Sequence, residues 1–216
     1  MSSSITAFAS RIANSFKNPV KNTVNQVALS NLKEAYECQS ALAKELGLNE
    51  LGWKLSSTFP VVTSYHVVKK DLPLHGRIFK VEDLRTTKEF SVKNFNYPRV
   101  EPQLCFKLGQ TIKSKIKYEN LLSLIESVSP GFEITDTRFD KNVSLTAPLI
   151  VADNLKSGVL FVGDKMPNWQ NFLLTTITVK VDSSHKACNC VDELDGPLQT
   201  IFTFINRHLT EEQTPL

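Results

Sequence analysis

The sequence predicts an α+β fold, because helical and strand-like patterns are both present but do not alternate regularly. Apolar residues recur at helical spacing near both ends of the chain, over 32–46 and 198–209. Between them, short segments alternate apolar and polar residues in the manner of strands, most clearly over 100–108 and 172–181. We therefore expect a sheet core with peripheral helices.

Three helices are predicted from their end signals. Ser30 is a candidate N-cap for the first of them, and Gly47 suits its end. A second helix is predicted over 118–128, with Pro130 and Gly131 ending it. The last helix is predicted to begin near Pro197, a residue that the first helical turn tolerates.

Further strands are predicted from short apolar runs between turn residues. The segments are 52–55, 131–137 and 158–163, with a weaker signal over 86–96. Residues 186–191 are predicted to pair with 172–181 as a hairpin.

Composition argues against two classes of partner. The net charge of +3 is too small and too evenly spread to indicate nucleic-acid binding. No segment approaches the roughly 18 apolar residues that a membrane-spanning helix needs. The four cysteines match neither a disulfide framework nor zinc-ligand spacing, so we expect a reducing, cytoplasmic setting.

The first 29 residues are predicted to be a helix followed by a linker, separate from a main domain over 30–216. Ile5, Phe8, Ile12 and Phe16 recur at helical spacing, and no acidic residue occurs before Glu34. Such a composition fits a mitochondrial transit segment, and it equally fits an amphipathic helix packed on the domain. Both interpretations stay open at this stage.

Oxygen-bearing side chains on two predicted strands suggest a metal site. Glu101 and Gln103 would point to the same face of one strand, and Glu133 would lie on another. Carboxylate and amide oxygens suit Mg²⁺ or Mn²⁺. Surface carboxylates also occur commonly in such positions, so spacing alone makes this a weak signal.

Four segments, in order, resemble the 2-hydroxypentadienoate hydratase / 4-oxalocrotonate decarboxylase branch of the fumarylacetoacetate hydrolase superfamily. Residues 98–109, PRVEPQLCFKLG, are similar to the family pattern PRxExEIAFxxG. Residues 130–138, PGFEITDTR, resemble PAxEIxDSR, and residues 151–158, VADNLKSG, resemble VADNxxSx. Upstream, residues 52–58, GWKLSST, are similar to GYKIGLT.

The resemblance implies a mixed β-roll core and a divalent ion that binds the 2-oxo acid end of a substrate. On the matching positions, Glu101, Gln103 and Glu133 would be the metal ligands. Lys54 would act near the reacting carbons, with a pKa lowered toward neutrality by burial and the metal, and Ser157 would contact substrate. The resemblance also implies a homo-oligomer that takes a small 2-oxo acid or unsaturated acid.

The chain departs from the family pattern in three places. Gln103 stands where the family has a glutamate, which removes one ligand charge and is expected to weaken metal binding. Leu74 stands where hydratases have a proton-handling aspartate, and the adjacent His75 is a candidate substitute. No segment after 198–209 resembles the family's C-terminal strands, so we expect a roll that lacks them.

Three functions remain open on this basis. The first is a hydratase or decarboxylase that stabilises an enolate with a divalent ion. The second is a repurposed, weakly metal-dependent or metal-independent cyclase, isomerase or decarboxylase that acts on a larger unsaturated intermediate. The third is a non-catalytic relative that binds a partner protein.

Overall fold

A computed structural model describes residues 2–19, 23–25, 29–56, 73–171, 176–181, 184–189, 196–211 and 216. The chain begins with helices α1 (Ser3–Lys17) and α2 (Leu32–Leu46), followed by strands β1 (Gly52–Ser56), β2 (Leu74–Ile78) and β3 (Val81–Asp83). Strand β4 (Arg99–Leu108), a single helical turn α3 (Leu121–Leu124) and the long strand β5 (Ile125–Thr135) come next. The remaining elements are α4 (Ala147–Ala152), β6 (Val159–Val162), β7 (Thr176–Val181), β8 (Ser184–Asn189) and α5 (Gly196–Glu211).

The central sheet has four strands in the order β3-β6-β5-β4. Strands β3 and β6 run parallel, and the β6–β5 and β5–β4 pairs are antiparallel. Two further antiparallel pairs, β1–β2 and β7–β8, stand outside this sheet in the described part of the chain. The predicted α+β class and the mixed sheet are therefore both found, and so is the predicted hairpin at 172–191 insofar as its residues are described.

Helix α1 packs against α2, and both join α4 in one hydrophobic cluster. The faces of α1 that pack there are those predicted from its spacing, since Ile5, Phe8 and Ile12 are buried. At the other end of the chain, α5 buries Phe204 and Ile205 in a second cluster that also contains Trp53. The β1–β2 pair thus lies between a helical layer and the final helix.

The N-cap of α2 lies one residue later than predicted. Asn31, and not Ser30, is the N-cap: its side chain accepts a hydrogen bond from the Glu34 backbone N–H at 3.0 Å. The Ser30 N–H and hydroxyl instead donate to the Glu34 carboxylate, both at 3.1 Å. Glu34 thus bonds to both residues, through its backbone N–H to Asn31 and through its carboxylate to Ser30. Gly47 ends the helix in the left-handed conformation as predicted, with φ of 62°.

The predicted helix over 118–128 is wrong. Only Leu121–Leu124 form an α-helical turn, and β5 starts at Ile125 and runs through Pro130 and Gly131 to Thr135. Leu121, Leu124 and Val128 are buried in one cluster. Their apolar spacing is therefore compatible with a helix as well as with the turn and strand that are found. Backbone pairing of β5 with β4, including Val128 with Phe106, decides for the strand.

Gly131 allows β5 to pass between its neighbours without a side chain in the way. A Cβ atom there would collide with the Phe161 carbonyl oxygen and would lie 2.8 Å from the Cys105 Sγ. Residues 86–96, all of them described, form turns and irregular segments, so the weaker strand prediction there is also wrong. Those residues lie against the sheet through Phe90 and Phe95.

Candidate active site

Glu101 and Glu133 face each other across the β4–β5 ladder. Two like charges directly opposite each other are unfavourable unless a cation lies between them. The cation is Lys54 of β1, whose ammonium is 2.8 Å from Glu101 Oε2 and 2.6 Å from Glu133 Oε2. The lysine and Glu133 are almost fully enclosed, with side-chain exposures of 8% and 2%.

The charge state of Lys54 differs from the expectation of a lowered pKa. Burial does disfavour the ammonium, but attraction by Glu133 and Glu101 outweighs it and raises the pKa above its ordinary value. The pKa of Glu101 is lowered. Burial alone would raise it, but attraction to Lys54 outweighs the effect of burial. In this arrangement the charged form of Lys54 is favoured.

Ser157 completes the group around Glu133. Its hydroxyl donates to Glu133 Oε1 at 2.9 Å, and the Gly158 backbone N–H donates to the same oxygen at 3.2 Å. One carboxylate oxygen of Glu133 therefore binds Lys54, and the other is fixed by the 157–158 segment. Glu101 is fixed more loosely, by the Thr135 hydroxyl at 3.5 Å from its Oε1.

An unusual turn carries Ser157 to this position. Asn154, Leu155 and Lys156 all have left-handed backbone conformations, with φ of 54°, 51° and 59°. Non-glycine residues adopt this conformation at a cost of about 1–2 kcal/mol each. The Asn154 side chain offsets part of this cost by accepting from the Arg77 N–H at 2.6 Å and donating to the Arg77 carbonyl at 2.7 Å.

Gly76 is required for that contact between β2 and the turn. A Cβ atom on Gly76 would lie 2.7 Å from the Asn154 carbonyl oxygen, too close for any side chain. Gly76 is also the residue of β2 that pairs with Lys54. The absence of a side chain at Gly76 therefore makes room for the 154–157 turn next to the strand position that pairs with Lys54.

Arg138 and Asp153 stabilise the turn formed by residues 154–157. The Arg138 Nε lies 2.8 Å from Asp153 Oδ1, and the guanidinium also donates to the Ser157 carbonyl oxygen at 2.8 Å. Burial raises the pKa of Asp153 to about 6, against the opposing effect of Arg138. Phe16 of α1 covers the guanidinium, whose central carbon is 3.7 Å from the ring centroid. Arg138 and Asp153 both lie in segments that resemble the family motifs, but the resemblance did not reveal that they support the turn.

Asp136, which the sequence places near Glu133, has a structural role and is not part of the group. Its carboxylate accepts from the backbone N–H groups of Asn96 and Tyr97 at 3.0 and 2.7 Å. It therefore fixes the segment that leads into β4.

His75 is not brought to the Lys54 group. The β1–β2 register pairs His75 with Leu55 and Lys54 with Gly76, so His75 lies on the opposite face. There it stacks on Tyr36, with 4.3 Å between ring centroids, and contacts Trp53 and Phe204. Leu74 is enclosed in the hydrophobic cluster formed with α1 and α2.

The oxygen atoms of Glu101, Glu133 and Gln103 are of the type that binds a hard divalent ion, but only two of these three side chains are charged. Gln103 shares the face of β4 with Glu101, so two carboxylates and one amide oxygen are available. The described residues contain no group of three or more His, Cys, Asp or Glu placed to hold a metal. Glu101, Glu133 and Gln103 are thus the residues that would hold an ion, with two charged ligands.

Cys105 follows Gln103 on the same face, and its reactivity can be predicted. Burial, assisted by repulsion from Glu133, raises the pKa of its thiol to about 11. We expect native Cys105 to react with iodoacetamide at pH 7.5 about two orders of magnitude more slowly than an ordinary thiol. The rate should rise with pH up to about 11, as measured by peptide mass spectrometry. Fast native labelling at pH 7.5, equal to that of the urea-denatured chain, would contradict this.

Among the described residues, no helix is long and apolar enough to cross a membrane. No model of a known protein family matches the chain. A 4-oxalocrotonate decarboxylase of Pseudomonas sp. is 29% identical over 135 residues, which cover 61% of this chain and 52% of the relative. The chain therefore spans about half the length of that relative.

Two solved structures share the fold. The 4-oxalocrotonate decarboxylase from Pseudomonas putida G7, complexed with magnesium and adipate, superposes with a TM-score of 0.77 at 18% identity, over 99% of this chain and 83% of that one. The same enzyme complexed with calcium and acetate gives a TM-score of 0.67 at 17% identity, over 98% and 82%.

The fold is that of a fumarylacetoacetate hydrolase-like protein, as the sequence motifs predicted. Within this class, the chain is related to the hydratase and decarboxylase branch, and that prediction is confirmed by the sequence and fold comparisons together.

Proposed function

We propose that this protein is a lyase of the hydratase or decarboxylase type that acts on a 2-oxo or 2-hydroxy-dienoic acid. One observation carries the proposal. Lys54, Glu101, Glu133 and Ser157 come from separate segments of the chain and meet in one buried group, held by contacts of 2.6–2.9 Å. At these positions the resemblance implies two metal ligands, the lysine near the reacting carbons and a serine that contacts substrate.

Decarboxylation is the better supported of the two reactions. The aspartate that hydratases use for proton handling is replaced by Leu74, which is buried in a hydrophobic cluster. A relative by sequence is a decarboxylase. In decarboxylation the C–C bond that breaks leads to a second carboxylate, placed so that the electron pair can delocalise through the C=C bond into the 2-oxo group; CO₂ leaves, and a dienolate remains. The ammonium of Lys54 then gives its proton to the carbanionic carbon.

The other side chains position this donor. Glu133 and Glu101 keep Lys54 charged and fix its direction, and Ser157 orients Glu133. A divalent ion such as Mg²⁺ or Mn²⁺, held by Glu101, Glu133 and the Gln103 amide, would supply Lewis-acid stabilisation of enolate charge. The two solved neighbours hold magnesium and calcium, respectively.

The test combines ligand binding with turnover. Purified protein is heated with EDTA, Mg²⁺ or Mn²⁺, each with and without oxalate, a mimic of an enolised 2-oxo acid. A native-state ligand at 100 times its Kd adds about 2.7 kcal/mol, a shift of several degrees. We expect the metal and oxalate together to stabilise most, and unsaturated 2-oxo acids that carry such a second carboxylate to release CO₂ detectably. No stabilisation and no turnover would overturn the proposal.

A weakly metal-dependent enzyme on a larger acid is the second candidate, and it is favoured by Gln103 and by the lysine that pairs with both carboxylates. Gln103→Glu adds the missing ligand charge, so we expect Mn²⁺ affinity to rise by about tenfold in calorimetric titration. Gln110→Glu, which adds the same charge at an exposed position, serves as the control. Equal affinity in wild type and Gln103→Glu would remove position 103 from the coordination set. The homo-oligomer implied by the resemblance stays a prediction, which sedimentation can test.

A further inference from the structure

The guanidinium of Arg138 is bonded along its edge and covered on one face. Along the edge, Nε lies 2.8 Å from Asp153 Oδ1, and the terminal nitrogens donate to the carbonyl oxygens of Asp136, Asp153 and Ser157. On the face, the central carbon lies 3.7 Å from the ring centroid of Phe16. The two kinds of contact are compatible, because the N–H groups point outward in the plane and leave the faces open to an aromatic ring. Phe16 therefore fixes Arg138 in the direction in which its hydrogen bonds do not.

The ring of Phe16 lies on the solvent side of this buried ion pair. The side chains of Arg138 and Asp153 are 2% and 0% exposed, whereas Phe16, at the end of α1, is only partly buried. Phe16 also packs against the hydrophobic cluster that contains Leu155, the middle residue of the left-handed turn. Water that reached the pair would raise the local dielectric constant and weaken the attraction between the two charges. Loss of the ring is therefore expected to loosen both the ion pair and the packing of the turn.

Two further contacts connect Arg138 to the paired glutamates. Its guanidinium donates to the Ser157 carbonyl oxygen at 2.8 Å, and the Ser157 hydroxyl donates to Glu133 Oε1 at 2.9 Å. The Gly158 backbone N–H donates to the same carboxylate oxygen at 3.2 Å. Because the three residues before Ser157 are in the left-handed conformation, the turn keeps this geometry only while the surrounding contacts maintain it.

We infer that Phe16 is a positioning residue of the site: its ring keeps Arg138 against the 154–157 turn, and the turn in that position keeps Ser157 bonded to Glu133. Phe16 lies outside the four segments that resemble the family motifs, so the resemblance assigns it no role. Helix α1 thus contributes to the site although it is distant from Glu133 in sequence. The consequence for ligand binding rests on the proposed function, in which Glu133 is a metal ligand.

The test measures amide hydrogen exchange by NMR in the ligand-free protein. The reporters are the Ser157 N–H, which donates to the Asn154 carbonyl oxygen at 3.0 Å, and the Gly158 N–H. Phe16→Leu keeps an apolar side chain but removes the ring, so exchange at both reporters should accelerate about tenfold, and by more than at the amides of β5. Phe16→Tyr keeps the ring and should exchange at the wild-type rate. Phe16→Met, an unbranched apolar replacement without a ring, gives a second test of the same expectation.

The matched control is the same change at another ring of α1. Phe8 is 3% exposed, and its ring lies near Phe139 and Arg11. Phe8→Leu should therefore lower the urea midpoint at least as much as Phe16→Leu does. It should accelerate the amides of β5 that open only on global unfolding, but leave exchange at Ser157 and Gly158 within about twofold of wild type.

The outcomes separate this inference from the proposed function. Wild-type exchange at Ser157 and Gly158 in a folded Phe16→Leu or Phe16→Met variant would overturn the inference, and so would equal acceleration by Phe16→Tyr or by Phe8→Leu. These results need no ligand, so they decide the role of Phe16 whether or not the site binds one. Titration with Mn²⁺ and oxalate then tests the consequence: affinity should fall about tenfold in Phe16→Leu and stay unchanged in Phe16→Tyr. Failure of wild type to bind both would count against the proposed function alone.

Discussion

Lys54→Met is expected to destabilise the metal-free protein by about 3 kcal/mol, because it leaves two facing carboxylates without their cation. The value is at the low end of the range for a broken buried pair, since Glu101 is about one-third exposed. Turnover should fall by at least about 100-fold with loss of the proton donor. Urea unfolding and a CO₂-release assay measure the two effects.

A second substitution serves as the control for the electrostatic explanation. Glu133→Gln removes the repulsion but keeps an acceptor for Ser157, so adding it to Lys54→Met should restore part of the lost stability. Mn²⁺ should stabilise Lys54→Met by more than it stabilises wild type, because the ion no longer competes with the ammonium. Additive losses in the double variant, with no larger metal effect, would show that the lysine contributes by packing alone.

Arg138→Met is expected to lower the free energy of unfolding by about 3–5 kcal/mol, because Asp153 would be left as a fully buried carboxylate without its partner. The guanidinium also bonds to the Ser157 carbonyl oxygen, so ligand affinity should fall in any variant that still folds. Urea unfolding followed by circular dichroism provides the measurement.

The matched control is a second Arg–Asp pair on the surface. Arg85 contacts Asp83 at 2.5 Å, but its side chain is 68% exposed. Despite the short distance, Arg85→Met should hardly move the unfolding midpoint, because water screens exposed pairs. Similar losses in the two variants would mean that burial is not what makes the Arg138 pair important.

The sequence predicted correctly those elements whose residue pattern is compatible with only one type of secondary structure. The sequence of β4 alternates apolar and polar residues over 100–108, and α2 has a cap at one end and Gly47 at the other. The segment 118–128 failed because its apolar spacing fits either a helix or a strand buried on one face, and only pairing with β4 decides. Pairing between residues distant in sequence leaves no local signal that could have corrected this.

The candidate site was predictable as a set of residues but not as an arrangement. Lys54, Glu101, Glu133 and Ser157 lie in motifs that a sequence can be compared with, and the structure brings all four together. The charge state of Lys54 depends on distances of 2.6 and 2.8 Å that no motif encodes. The left-handed backbone of residues 154–156 could not be predicted either, since it is unusual for leucine and lysine.

The 154–157 turn has a consequence for the thermodynamics of binding. Its strained conformation is fixed by the bond of the Asn154 side chain to Arg77 of β2, by the bond of Arg138 to Ser157 and by the buried side chain of Leu155. The loss of chain entropy that comes with ordering this turn therefore occurs when the protein folds, before any ligand arrives. Ligand association should accordingly be fast and show little rigidification at 154–157, so that affinity differences between ligands appear mainly in their dissociation rates.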